Sequence, residues 1–279
     1  VSAQLNANLE AILTELAQGH LARLVQTLHD TPETAPAWQK LLRALALGET
    51  YFFRYQPYFQ LFKNYILPNL IPQRRRQSPP RLNLWSAGCA TGEEPYSLAI
   101  TVQENLPDIT RWAVQIIGTD VNLHALQAAQ QGVYRRWAFR HTSPDFQSRY
   151  FDPVSGGLQL KATVRRMVSF RQGNLLDGAP PLTFDVIFCC NVLLYFEAAA
   201  VKQVESMFYE ALAPGGWLLL GQAEMLRFQR DRWTTHIFPD VVAYQKPIIP
   251  GVTDRRHTAP LPATTADKPA VPSTYAEAV

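Results

Sequence analysis

The spacing of apolar positions changes character along the chain. Between residues 4 and 17, Leu5, Leu9, Ile12, Leu13 and Leu16 share one helical stripe, and after a break at Gly19 a second stripe holds Leu21, Leu24, Val25 and Leu28. Beyond Pro32 and Pro36, Trp38, Leu41, Leu42 and Leu45 predict a third helix that stops near Gly48. Residues 1–47 therefore read as a short all-helical domain. Residues 48–80 read as a linker helix and a hinge, the hinge being Gln73 to Pro80, where arginines and prolines replace any periodicity.

From Leu82 short apolar runs alternate with amphipathic segments, the pattern of a sheet with crossover helices. Strands are expected near 82–87, 113–119, 167–171, 184–189 and 217–221, and helices near 93–106, 122–131 and 198–212. Two short runs, His236 to Phe238 and Val241 to Lys246, are joined by Pro239 and Asp240 and predict a closing antiparallel hairpin. The fold class is α/β: a Rossmann-like sheet over 81–246 with an antiparallel last hairpin. Residues 134–166 interrupt it, and Ser155-Gly156-Gly157 ahead of Leu158 and Leu160 predicts a small β insertion there. From Pro247 to residue 279, prolines, alanines and threonines predict a disordered tail.

With 279 residues, 47% of them hydrophobic, the chain is large enough to bury a full core. Its apolar runs are far shorter than the roughly 20 residues that span a bilayer, so no membrane insertion is expected. No leader pattern opens the sequence. Cys89, Cys189 and Cys190 have no metal-ligand spacing, so no metal is expected and a reducing, cytoplasmic location fits. The net charge of +3 is mild. Arginines gather at 74–76, 135–136 and 165–166, which read as solvated faces or as attraction for an acidic partner, a glutamate-rich protein or a nucleic acid.

The chemistry concentrates at strand ends. After the first strand, Gly88-Cys89-Ala90-Thr91-Gly92-Glu93-Glu94-Pro95 makes a glycine turn into a helix. Gly88 and Gly92 are expected to let a ligand approach the backbone. The spacing is neither that of a dinucleotide fingerprint nor that of a Walker loop, and Glu93 would repel a pyrophosphate while suiting an ammonium group. The second strand ends in Asp120, which either accepts a ribose hydroxyl pair or caps the next helix. Asn174 and Leu175 follow the third strand and would read and pack an adenine, and Cys190, Asn191 and Tyr195 follow the fourth. Ligands of open sheets bind beyond these carboxyl ends.

Taken in order, Glu49-Thr50-Tyr51-Phe52-Phe53-Arg54, WSAGCATGEEPYS from 85 to 97, GNLLD from 173 to 177, FCCNVLLYF from 188 to 196 and APGGWLLLGQAE from 213 to 224 resemble the CheR family. That resemblance covers about residues 20 to 246. It implies an S-adenosylmethionine (SAM) methyltransferase sheet and transfer of methyl groups to glutamate side chains on chemoreceptor cytoplasmic helices, by a monomer that binds no nucleic acid. It also implies that Thr50 and Arg54 contact SAM with Gly88, Gly92, Glu93, Asp120, Asn174, Leu175, Cys190 and Asn191, and that Arg54 and Tyr195 serve the reaction. Gly48 stands where the family usually has Asn, and Cys190 where it usually has Arg. A glutamate with a pKa of about 4.3 is already an anion at neutral pH, so such a reaction needs no general base. Two other readings are a module that binds cofactor or receptor with little turnover, and a methyltransferase for RNA or a small molecule.

Overall fold

In the computed structural model, residues 2–32, 35–45, 50–226, 231–248 and 257–258 are described. The amino-terminal stripes form α1 (Ser2–Ala17), α2 (Leu21–His29) and α3 (Pro36–Leu45). They close over a small core of their own, Ile12, Ala17 and Leu24 with Leu13, Leu16, Leu28 and Leu41 against it. Gly48 lies outside the described residues. In the linker, α4 (Gln56–Leu61), a π turn at Phe62–Ile66 and α5 (Leu67–Arg74) run on as one helical stretch. It is ordered because Tyr58, Phe59, Leu61, Phe62, Ile66, Leu67 and Leu70 are all buried in the main core.

The sheet begins with β1 (Arg81–Ala87), followed by α6 (Glu93–Asn105), β2 (Ala113–Asp120) and α7 (Leu123–Gln131). The insertion contains β3 (Val133–Tyr134), α8 (Pro144–Tyr150), β4 (Phe151–Val154), β5 (Gly157–Leu160) and α9 (Ala162–Arg165). The sheet resumes with β6 (Val168–Gln172), β7 (Phe184–Cys189), α10 (Ala198–Ala211), β8 (Leu212–Leu220), β9 (Thr234–Ile237) and β10 (Val242–Gln245). Its strand order is β11-β9-β10-β8-β7-β1-β2-β6, where β11 is His257–Thr258; the insertion forms a separate sheet, β3-β5-β4.

Strands β6, β2, β1, β7 and β8 are mutually parallel, and β10 enters antiparallel between β8 and β9. The expected hairpin is therefore present. From β1 the chain moves outward to β2 and β6 and then returns to the other side of β1 as β7, so the strand order reverses between β1 and β7. Crevices open at such reversals, beyond the carboxyl ends of the strands. All six residues of β7 are buried, as a strand covered on both faces requires.

Strand β8 starts earlier than its apolar run. Ala213-Pro214-Gly215-Gly216, a turn by composition, is absorbed into the strand, with Gly215 at φ 77 and a register irregularity opposite Phe184 and Val186. A bulge accommodates residues that regular pairing would reject. Asp185 on β7 is buried and accepts hydrogen bonds from Arg74 Nε at 2.5 Å and from the Asn83 amide at 2.8 Å, which fastens the end of α5 to the sheet. Replacing Arg74 with Ala leaves that carboxylate without its cation and is expected to cost about 3 kcal/mol. Urea denaturation measures it, and an unshifted midpoint would contradict the assignment.

Candidate functional site

Three segments meet at the reversal. The first is the turn after β1, where the Gly88 and Cys89 amides both donate to Thr119 O, at 2.8 and 2.9 Å. Gly88 and Gly92 adopt left-handed backbone, at φ 76 and 94. Close protein contacts also make glycine necessary at both positions. A Cβ on Gly88 would lie 2.2 Å from Val192 Cγ2, and one on Gly92 would lie 2.8 Å from the Ala129 methyl. Protein packing and backbone conformation already exclude side chains at both positions.

The second segment is the loop after β7. Asn191 is held at φ 64, unusual for a residue with a side chain. Glu224, buried after β8, supplies the reason: its carboxylate accepts from the amides of Asn191 at 3.0 Å, Val192 at 2.6 Å, Leu193 at 2.7 Å and Gly221 at 2.6 Å. Burial raises the pKa of Glu224 while these amides oppose the rise. Sequence reasoning passed over this residue as part of a common turn; an acid that follows a fully apolar strand is the signal that could have found it.

The third segment is Thr50 to Tyr55, which spans the other two. Phe52 is fully buried among Tyr134, Phe139 and Phe151, and its amide donates to Ala138 O at 3.0 Å. Phe53 points the other way, edge-on to Phe59 and Phe146, with its amide bound to Ser97 Oγ. Two anchored aromatics leave the flanking Thr50 and Arg54 over the crevice. Tyr55, which the sequence reading did not single out, donates its hydroxyl to Asn191 Oδ1 at 2.6 Å and carries the Arg54 guanidinium 5.2 Å from its ring.

Within this frame the acids take distinct positions. Glu93 is buried at the start of α6, bonded by the hydroxyls of Thr91 and Thr50; burial raises its pKa, against those two bonds and the charge of Arg140. Asp120 accepts from the amides of Ala90 and Asn122, each at 2.9 Å, so it braces the glycine turn as well as closing β2, and burial raises its pKa too. Glu94 accepts from Ser86 Oγ at 2.7 Å and from the Cys190 thiol, with Arg54 nearby; burial pushes its pKa up to about 7. Thr50, Arg54, Gly88, Gly92, Glu93, Asp120, Cys190 and Asn191 thus come together.

Asn174 and Leu175 lie one strand further out, linked through the Gly173 amide to Asp120 O at 3.1 Å. Leu175 is buried, and Asn174 Oδ1 closes a turn on the Leu176 amide. Beside them Thr119, Gly173, Asn174 and Leu175 help line a cavity of about 220 Å³, and a Cβ on Gly173 would meet nothing within 4 Å. Tyr195 belongs to the 3-10 turn Leu193–Tyr195, but its side chain lies outside the described residues.

The residues present fit SAM. A crevice rich in carboxylates suits a cationic sulfonium and an ammonium group, Asp120 stands where a ribose is bound in such sheets, and the cavity beside Leu175 has room for a purine. Sheet order, glycine turn and terminal acid together define a SAM-dependent methyltransferase. The CheR methyltransferase, SAM binding domain family model matches residues 48–242, and the chain belongs to the CheR methyltransferase family. It is 33% identical over 235 residues to chemotaxis protein methyltransferase Cher2 of Pseudomonas putida, covering 82% of this chain and 84% of that one. Chemotaxis protein methyltransferase 1 of Pseudomonas aeruginosa is 36% identical over 222 residues, covering 77% and 78%. Chemotaxis protein methyltransferase 2 of Vibrio cholerae is 31% identical over 213 residues, covering 75% and 73%. Among the described residues no helix is long and apolar enough to cross a membrane.

Two outcomes test the site. Asp120→Ala should weaken binding of S-adenosylhomocysteine about 10- to 100-fold, the loss expected when charge-assisted hydrogen bonds of about 1.5–3 kcal/mol disappear; unchanged calorimetric affinity would remove Asp120 from the site. Glu94 governs a pH effect. Between its ordinary pKa of 4.5 and about 7 the unfolded chain is ionised there while the folded chain keeps the proton, so stability falls as pH rises through that window and levels off above it. Glu94→Gln should flatten that part of the stability profile, and a slope identical to that of the unsubstituted protein would refute the assignment.

Proposed function

We propose that the protein acts in the cytoplasm, as a monomer, transferring the methyl group of SAM to glutamate side chains on chemoreceptor cytoplasmic helices. The observation that carries this reading is the bridge formed by Thr50 to Tyr55: it sets Arg54 over a crevice lined by Glu93, Glu94 and Asp120, beside the Asn191 loop. A guanidinium at the mouth of a carboxylate-rich pocket can orient an incoming carboxylate that the pocket itself would repel. When bound, SAM supplies the electrophilic methyl on a positively charged sulfur.

The chain's own residues do the rest. Asp120 takes the ribose hydroxyls, Asn174 and Leu175 hold the adenine, and Thr50 with Glu93 holds the methionine end. Gly88 and Gly92 shape the turn, while Cys190 and Asn191 form the wall facing Arg54. The family resemblance gives Tyr195 a part in the reaction beside Arg54. No group needs to remove a proton from the acceptor, so alignment and exclusion of water supply the rate.

The test is incubation of the protein with tritiated SAM and receptor-bearing membranes, followed by alkali. Release of volatile labelled methanol is expected, because glutamate methyl esters hydrolyse under base. Arg54→Ala should lower the initial rate by about 100-fold, the size of effect seen when one preorganised electrostatic group is removed. Label that resists alkali, or that enters RNA instead, would defeat the reading.

A further inference from the structure

Backbone strain gathers at the crevice. Of the five non-glycine residues in left-handed backbone among those described, Phe53, Tyr55, Ala90 and Asn191 belong to the segments that meet there. Such conformations persist where the surrounding structure over-determines them, and they cluster at working sites. Two of these residues, Tyr55 at φ 61 and Asn191 at φ 64, are joined by one hydrogen bond, from the Tyr55 hydroxyl to Asn191 Oδ1 at 2.6 Å. We propose that Tyr55 is a positioning residue for methyl transfer, acting on the reacting groups through Asn191 and Arg54. The inference rests on the reading that Arg54 orients the acceptor carboxylate.

Both ends of that bond are fixed to one frame. Tyr55 precedes α4, and its carbonyl accepts from the Tyr58 amide at 2.9 Å while the two rings meet edge to face at 5.9 Å. Tyr58 is buried, and its hydroxyl donates to the carbonyl of Leu220, the last residue of β8, at 2.7 Å. Asn191 is held by Glu224, which follows the same strand. Phenol and carboxamide therefore meet at a separation set by the end of β8, and a bond between groups already held in place loses little entropy on forming.

Two effects reach the reaction. With Oδ1 engaged, the amide nitrogen of Asn191 is the edge left to donate, which suits a carboxylate arriving at the crevice. The Tyr55 ring also supports the Arg54 guanidinium, 5.2 Å from its centroid. Tyr51 lies further from Arg54, at 5.9 Å, and Arg140 takes the closer place on that ring at 3.4 Å. One side chain thus orients the amide and the cation that face each other across the acceptor position.

A double-mutant cycle on the full chain tests this. Tyr55→Phe removes the hydroxyl and keeps the ring, whereas Asn191→Gly removes the carboxamide and accepts the left-handed backbone without strain. With tritiated SAM and receptor-bearing membranes, Tyr55→Phe should lower kcat about tenfold, the size of one lost hydrogen bond, with the KM for SAM and the melting temperature unchanged. In the Asn191→Gly background the same substitution should change kcat by less than about twofold. Tyr55→Leu, which also removes the ring beside Arg54, should be slower than Tyr55→Phe in either background. The proposal is overturned if Tyr55→Phe is as fast as the original, if it slows both backgrounds equally, or if the slowing comes with a lowered melting temperature. Transferred label that resists alkali would reject glutamate as the acceptor alone, since the same cycle run on total label still decides the part played by Tyr55.

Discussion

One buried carboxylate sets the geometry on which the site depends. Glu224 gathers the amides of Asn191, Val192, Leu193 and Gly221, and so ties the loop leaving β7 to the end of β8. Without an acceptor these amides would be buried and unpaired, each at a cost of about 1–3 kcal/mol. The same bonds force Asn191 into left-handed backbone, which turns its side-chain oxygen toward Tyr55 and brings Val192 against the bare Gly88. Turn, loop and bridging segment thus share one anchor, and the crevice is the space they leave.

The electrostatics follow from that packing. Glu93, Glu94, Asp120 and Glu224 are crowded around one end of the sheet, and in each burial raises the pKa. A site that holds carboxylates under this strain gains from receiving a cation, because Coulomb attraction grows as the effective dielectric falls. The backbone amides that satisfy Asp120 and Glu224 keep them in place meanwhile, so the attraction is preorganised rather than assembled on binding. Cation-favouring acids and a carboxylate-orienting Arg54 are complementary halves of one reaction between opposite charges.

Much of the fold was legible because its signals are local. The apolar runs at 82–87 and 184–189 gave strands that the structure places at Arg81–Ala87 and Phe184–Cys189, and the turn Ser155 to Gly157 gave the β4–β5 hairpin. Asp120 was legible as a terminal acid, although its bracing of Ala90 was not. What escaped depends on contacts between distant residues. Nothing near Tyr55 in the chain announces Asn191, 136 positions away, and nothing in the composition of APGG says that a bulge will carry it into β8. Gln73 to Pro80 reads as a hinge because arginines and prolines replace its periodicity, and the linker helix ahead of it owes its order to tertiary burial of aromatics rather than to local propensity.

Cys190 is the departure from the family resemblance that the geometry explains best. Its thiol donates to Glu94, satisfying one lone pair while adding no charge. Arg54 is then the cation acting on Glu94, and it does not outweigh burial, so the carboxyl sits up at about 7, well above an ordinary carboxylate. An arginine at 190 would add a second guanidinium beside Glu94 and hold it ionised. Shape is another matter: the loop carrying residue 190 is fixed by Glu224 through backbone amides, which any side chain at 190 leaves intact. The cysteine therefore alters the charge balance of the crevice while its form is held elsewhere, and the burden of pairing both Glu94 and an incoming carboxylate falls on Arg54.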